Sequence, residues 1–377
     1  LLSRLYPEAE LDLDEQEQMR EAKNWSATIR SLHPLHESQL SWISEQREML
    51  GDELSPDYTK YDAQHLAEYP EQSFAYKIIS RHAVQTFGPA SNQVEPLKMI
   101  IDGAGGCGKS HVLHCTVKEI LRLAAASAHE GVPVRVCAPT GAAASLVFGG
   151  TLHSFIRWNP ARSFVEFARG SKAESEWQAF CKGLRYLFID ERSLLSQDMK
   201  GKLISRLRQG FPARADNPAD PTCGVSIILF GDDFQLPPTN GGRLYADPYV
   251  IVKKKKIFVA EREKARRLYL DSFNTVVQLV TNVRAKGASP EQAEFRAFQM
   301  DCLRPCLPTA EWHEYLQQAD LNALPSAEQQ AWKRKFRLCA TNKERERCNA
   351  EMLSWTSREL HEPIATIHAE HPRGGHM

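Results

Sequence analysis

The run Gly103-Ala104-Gly105-Gly106-Cys107-Gly108-Lys109-Ser110 has the make-up of a phosphate cradle. Its glycines permit backbone conformations that aim successive N–H groups inward at phosphate oxygens. An apolar run at 99–101 precedes it and a helical pattern at 111–126 follows, the strand–turn–helix setting that GxxxxGK[ST] requires. The helix start adds the positive end of its dipole. Lys109 is expected to reach the β- and γ-phosphates of ATP, and the Ser110 hydroxyl to ligate Mg²⁺. With His111, residues 103–111 form the expected nucleotide contact. The competing reading is a flexible glycine turn ahead of a helix.

Two further groups stand at the ends of apolar runs. Asp190-Glu191 close the run 186–189. An Asp at that end of a neighbouring strand can hold Mg²⁺, and the adjacent Glu can orient and deprotonate an attacking water. Alone, such a pair marks a solvated strand end; downstream of a phosphate loop it points to hydrolysis rather than kinase chemistry. Gly231-Asp232-Asp233-Phe234-Gln235-Leu236-Pro237-Pro238 closes the run 225–230. Gln235 there can hydrogen-bond the γ-phosphate or its water, with the prolines stiffening a relay. A plain turn stopped by prolines explains the same residues equally well.

The elements that must hold these groups follow from periodicity. Phe74, Ile78, Ile79 and Ala83 keep helical spacing until Gly88 and Pro89. Residues 99–101, 132–137, 186–189 and 225–230 read as buried strands, and 111–126 as a helix with Leu113, Val117, Leu121 and Ala124 on one stripe. This βαβ alternation predicts an α/β fold: a mostly parallel sheet with helices on both faces and ligands at the carboxyl ends of the strands. Residues 210–224 read as a loop, and past Asp271 the pattern turns mainly helical until 336–340.

The 377 residues hold 47 basic and 47 acidic side chains, but the balance is uneven. Residues 1–70 carry 15 acidic and 6 basic residues, leaving −9 there and +9 beyond. A basic body behind an acidic leader, which is helical or partly disordered by its pattern, is compatible with nucleic-acid binding. No apolar run approaches a membrane span, and nine scattered cysteines without a CxxC pair read as reduced thiols inside a cell. Cys302 and Cys306 lack a matching pair for a metal site. The chain opens on Leu1 and so reads as a fragment or processed product.

The ordered set Gln72, GAGGCGKS, APTGAAA at 138–144, TLHSF at 151–155, DERS at 190–193, GDDFQLPP at 231–238 and the arginine of VTNVRA at 280–285 resembles the Pif-type DNA helicases. These are superfamily-one motors related to RecD and to the helicase region of Helitron transposons, and the likeness covers about 70–350. It implies a RecA-like ATPase domain at 71–270 behind the leader 1–70, and an incomplete second RecA-like domain at 271–377. It implies an ATP-dependent helicase moving 5′→3′ on single-stranded or tailed duplex DNA, with roles in repair, recombination or telomere maintenance. Gln72 matches the adenine-reading glutamine, whose amide suits a donor–acceptor edge. Arg284 matches the finger arginine, expected across the cleft from the second domain. Thr140, Gly141, Thr151, His153 and Ser154 match segments that touch DNA.

Departures accompany the likeness. Arg192 replaces a small apolar residue, and Asp233 an aromatic or other non-acidic one. The basic stretch 253–256 with Arg262, Lys264, Arg266 and Arg267 reads either as a solvated face or as a DNA-backbone contact. The family's later DNA-gripping and second-arginine motifs have no match, so the alternative is a truncated remnant, transposon-derived, that binds ATP or DNA without unwinding. No targeting signal is legible; the nucleus is taken ahead of the mitochondrion.

Overall fold

The computed structural model describes residues 58, 60–89, 94–217, 220–252, 255–284, 287, 289–302 and 341–361, with isolated positions between 310 and 339. Two compact units divide the chain, Pro56–Pro305 and a second made of Leu1–Ser55 with Cys306–Met377. Within the second unit the helix Asn342–Leu360 is described, opened by a capping box between Thr341 and Glu344. The expected strand at 336–340 and most of the leader lie outside the described residues.

The larger unit is built on six parallel strands: β1 (Lys98–Gly103), β2 (Val134–Ala138), β3 (Gly150–Thr151), β4 (Tyr186–Ile189), β5 (Ser226–Gly231) and, numbered by chain order after a hairpin of β6 (Tyr249–Val252) and β7 (Lys255–Phe258), β8 (Thr275–Leu279). Their order across the sheet is β3-β2-β4-β5-β1-β8. The expected parallel sheet with both faces covered is what forms. Alternation along each strand divides the core in two. Met99, Ile101, Tyr186, Phe188, Ile228 and Phe230 face one layer, and Ile100, Leu187, Ile189, Ile227 and Leu229 the other. Strands buried on both faces read as unbroken apolar runs, which is why periodicity alone located them.

Helices α1 (Pro70–Thr86) and α2 (Lys109–Ala126) cover the first face through Ile79, Ala83, Val112, Leu113 and Ile120. On the expected stripe of α2, Leu121 is exposed, whereas Leu113, Val117 and Ala124 are buried. Phe74 of α1 is likewise exposed. Two short helices follow β2 and β3, α3 (Gly141–Leu146) and α4 (Leu152–Phe155). The second face is covered by α5 (Lys172–Cys181), α6 (Gln197–Gly210) and α7 (Ala260–Ser272), with Trp177, Cys181, Leu203, Leu207 and Tyr269 inward. Buried Arg206 of α6 fastens the segment after α4, donating to the carbonyls of Ile156 and Val165 at 3.0 Å each.

One strand departs from expectation. The sequence past Asp271 reads as mainly helical, yet 275–279 forms β8 and pairs with β1 throughout its length. The compact unit therefore continues to Pro305, and the expected boundary near 270 falls inside it. The β6–β7 hairpin was hidden beneath the lysine-rich stretch 253–256.

Lys200 of α6 is buried, with Nζ 4.9 Å from the Tyr269 ring centre and 4.7 Å from that of Phe273, and without a hydrogen-bond partner. Burial pushes its ammonium well below the ordinary lysine range. The unfolded chain thus binds this proton more strongly than the folded one, so stability rises with pH up to the unfolded lysine value. Lys200→Met is expected to stabilise the fold by about 1–3 kcal/mol at neutral pH in urea melts, with the advantage shrinking as pH rises toward about 10.

Candidate active site

Parallel register brings the predicted residues to one edge of the sheet. Gly103 lies beside Leu279, Asp102 beside Gly231, and Ile189 between Leu229 and Cys137. The segments leaving β1, β4, β5 and β8 therefore start side by side. Between them is a crevice of about 420 Å³ lined by Lys109, Ser110, Asp190, Glu191, Gln235 and Arg284. Gly105, Gly106, Gly108 and His111 also face it; Gly103, Ala104 and Cys107 are not among its lining residues.

Two glycines are required where they stand. Gly106 has φ +90°, and a Cβ there would lie 2.8 Å from Asn282 Oδ1 and 2.9 Å from Arg284 Cβ. Gly108, φ +82°, would meet Gln72 Nε2. Both positions exclude an L side chain by conformation and by space. Lys109 opens α2, and its Nζ donates to the Gly103 and Ala104 carbonyls at 2.6 and 3.0 Å, so the ammonium sits at the mouth of the loop.

Asp190 is buried, and its Oδ1 accepts the Glu191 N–H at 2.9 Å. Burial raises both carboxyls above their usual range; Asp190 adds to the rise at Glu191, and Lys109 opposes it at each. Glu191 adopts a left-handed backbone, φ 53° and ψ 51°, which is costly for a non-glycine residue. A carboxylate and a hydroxyl facing one crevice are hard oxygen donors, a set that suits Mg²⁺. Asp190 and Ser110 are the residues that would hold it. A more basic Glu191 beside them suits proton abstraction from water.

Gln235 is placed by a turn: its N–H donates to the Asp232 carbonyl at 3.1 Å, and the Asp232 carboxylate accepts the Phe234 N–H at 3.0 Å. Arg284 corrects an expectation. It follows β8 of the first sheet rather than belonging to a separate second domain. The N–H groups of Val283 and Arg284 donate to the Gly106 carbonyl at 2.8 and 3.2 Å, so the arginine reaches the crevice within the same unit. Gln72 is buried under the loop, its Nε2 donating to the Cys107 carbonyl at 2.9 Å. It is not among the crevice-lining residues.

The residues expected to touch DNA lie beyond the crevice. Thr140 caps α3 through the Ala143 N–H at 3.2 Å, and Thr151 caps α4 through the Ser154 N–H at 3.1 Å while meeting the Ser154 hydroxyl at 2.8 Å. Gly141 begins α3. His153 stacks on Trp158 at 5.2 Å between centroids, and Lys202 Nζ lies 3.8 Å from the Trp158 ring centre. Of the basic stretch, Arg262 pairs with Asp198, and Arg266 and Arg267 with Glu263, so these three serve ion pairs within the fold.

Residues 89–241 match the family model described as an AAA domain. The chain is 28% identical over 140 residues to the ATP-dependent DNA helicase RRM3 of Saccharomyces cerevisiae, covering 36% of this chain and 18% of the relative. It is 31% identical over 150 residues to the ATP-dependent DNA helicase PIF1 of Candida albicans, covering 38% and 15%. The resemblance to the Pif-type helicases is borne out by these relatives, although each match spans less than a fifth of the relative's length. Among solved structures, the Pif1 helicase from Candida albicans superposes with a TM-score of 0.51 at 22% identity, over 76% of this chain and 54% of that one. That likeness shows the RecA-like fold.

The crevice also depends on residues the sequence did not single out. Ala143 and Leu146 of α3 face the crevice, so the helix that Thr140 caps also lines it. Asn282 accepts the Arg284 N–H at 3.0 Å, and Glu71 the Thr281 N–H at 2.9 Å; both fasten the segment after β8. Spacing gave no signal for Glu71, because its partner Thr281 is far away in sequence. Gly106→Ala is expected to weaken ATP binding at least about tenfold, since its Cβ displaces Asn282 and Arg284; a fluorescent-nucleotide titration measures this.

Proposed function

We propose that the chain is the ATP-hydrolysing part of a Pif-type DNA helicase. The supporting observation is the convergence of Lys109, Ser110, Asp190, Glu191, Gln235 and Arg284 on one crevice from four strand ends. Such a set fits in-line attack of water on a γ-phosphate. Lys109 and the loop amides would bind the phosphates. Glu191 would accept the proton of the attacking water, Gln235 would hold that water or the γ-phosphate, and Arg284 would stabilise charge on the transferring oxygens. Mg²⁺ held by Ser110 and Asp190 would neutralise phosphate charge.

Coupling to DNA would run through two connections. Helix α3 carries Thr140 and Gly141 at its start and Leu146 on the crevice, and Gln235 sits on the loop after β5. Thr140, Gly141, Thr151, His153 and Ser154 are the proposed contact to single-stranded or tailed duplex DNA, with 5′→3′ movement. The named relatives are ATP-dependent DNA helicases. Gln72, beneath Gly108, would set the height of the loop against which adenine is read. The proposal takes the nucleus as the compartment and repair, recombination or telomere maintenance as the setting.

Lys109→Ala is expected to abolish DNA-stimulated phosphate release, and Glu191→Gln to lower it about 10²–10⁴-fold while preserving ATP binding. Unchanged turnover in either variant contradicts these roles. Strand displacement on a 5′-tailed duplex separates a motor from a protein that only binds ATP and DNA.

A further inference from the structure

We propose that Arg192 is a positioning residue that holds the Gln235 loop in register with the Asp190-Glu191 turn; the proposal rests on the hydrolytic reading of the same crevice. One guanidinium nitrogen of Arg192 donates to Asp102 Oδ1 at 2.7 Å and to Asp233 Oδ2 at 2.8 Å. Asp102 immediately precedes the first glycine of the phosphate loop, Arg192 follows Glu191, and Asp233 stands two residues before Gln235. Three of the segments that leave the sheet and build the crevice are therefore tied through a single cation.

The placement of this cation points to position rather than surface charge. Arg192 has 4% of its side chain exposed, against 26% for Asp102 and 39% for Asp233. The backbones also meet closely: a Cβ at Gly231 would lie 2.7 Å from Arg192 Cβ and 2.8 Å from its N. The planar guanidinium holds that nitrogen, with its two N–H groups, at a fixed place between the two carboxylates, which the flexible stem of a lysine does less well. Arg243 supports the same loop by donating to the Asp233 carbonyl at 3.0 Å.

The two residues that depart from the Pif-type pattern thus form one unit. Without Asp233, the buried Arg192 would keep Asp102 as its one carboxylate partner here, and without Arg192, Asp233 would set a second carboxylate against Asp102. Each is compensated by the other. Removing Arg192 leaves Asp102 and Asp233 facing each other unneutralised, which drives the 232–235 turn away from β1. Neutralising Asp233 in the same chain relieves that repulsion, so the double change should be milder than the loss of Arg192 alone.

The test is a double-mutant cycle in the full chain, read by hydrogen exchange of the peptide 231–238 and by oligo(dT)-stimulated ATP turnover. Arg192→Ala is expected to speed exchange of that peptide about tenfold and lower kcat about tenfold, with KM for ATP changing less than about twofold. Arg192→Ala/Asp233→Asn should recover most of both effects, and Arg192→Lys should fall between. Additive losses in the cycle, unchanged exchange in Arg192→Ala, or a rise in KM without a fall in kcat would overturn the proposal. Should Arg192→Ala fail to fold, Asp233→Asn carries the test: faster exchange of 231–238 at an unchanged melting temperature is expected, and unchanged exchange overturns it. A wild-type chain without turnover defeats the hydrolytic reading, while the exchange cycle still decides the role of Arg192.

Discussion

Parallel register is the constraint on which the site depends. In a parallel sheet every strand points the same way, so the residues that leave each strand emerge at one edge. Here Gly103, Ile189, Gly231 and Leu279 end neighbouring strands within a residue or two of one another. A cradle, an acidic pair, a glutamine and an arginine separated by 181 residues of chain from Gly103 to Arg284 then share one crevice. A one-residue slip of β1 against β5 would move Asp102 from beside Gly231 and break the Arg192 tie as well.

The tightest joint in this arrangement is made by backbone. The Gly106 carbonyl accepts two N–H groups from the segment after β8, and Gly106 has no room for a side chain. Arg284 is thereby delivered to the phosphate loop by the fold itself. The Lys109 ammonium is held by the loop's own Gly103 and Ala104 carbonyls. Side chains whose positions are set by backbone bonds lose little freedom on meeting a ligand, which is the physical content of preorganisation.

Much of this was legible in the sequence because the chemistry is local. GAGGCGKS needs only its flanking strand and helix, and the apolar runs before Asp190 and Gly231 mark buried strands without reference to partners. What escaped depends on pairing between distant residues. The run 275–279 is short, and its exposure alternates along one edge of the sheet, so nothing local distinguishes it from the helical pattern around it. The place of Arg284 followed from that omission. Arg192 and Asp233 are legible singly only as departures; their compensation exists in three dimensions. The hydroxyls of Thr140 and Thr151 read as DNA contacts by resemblance, and the structure shows that they also cap the helices that carry them.

The central claim is that one compact unit brings every phosphate-facing group to a single triphosphate. A crystal structure with ADP, aluminium fluoride and Mg²⁺ tests it most directly. The account predicts the planar fluoride group within hydrogen-bond reach of Lys109, Gln235 and Arg284, with Glu191 addressing the in-line water. Nucleotide bound elsewhere, or a fluoride group that Gln235 and Arg284 do not approach, would contradict it.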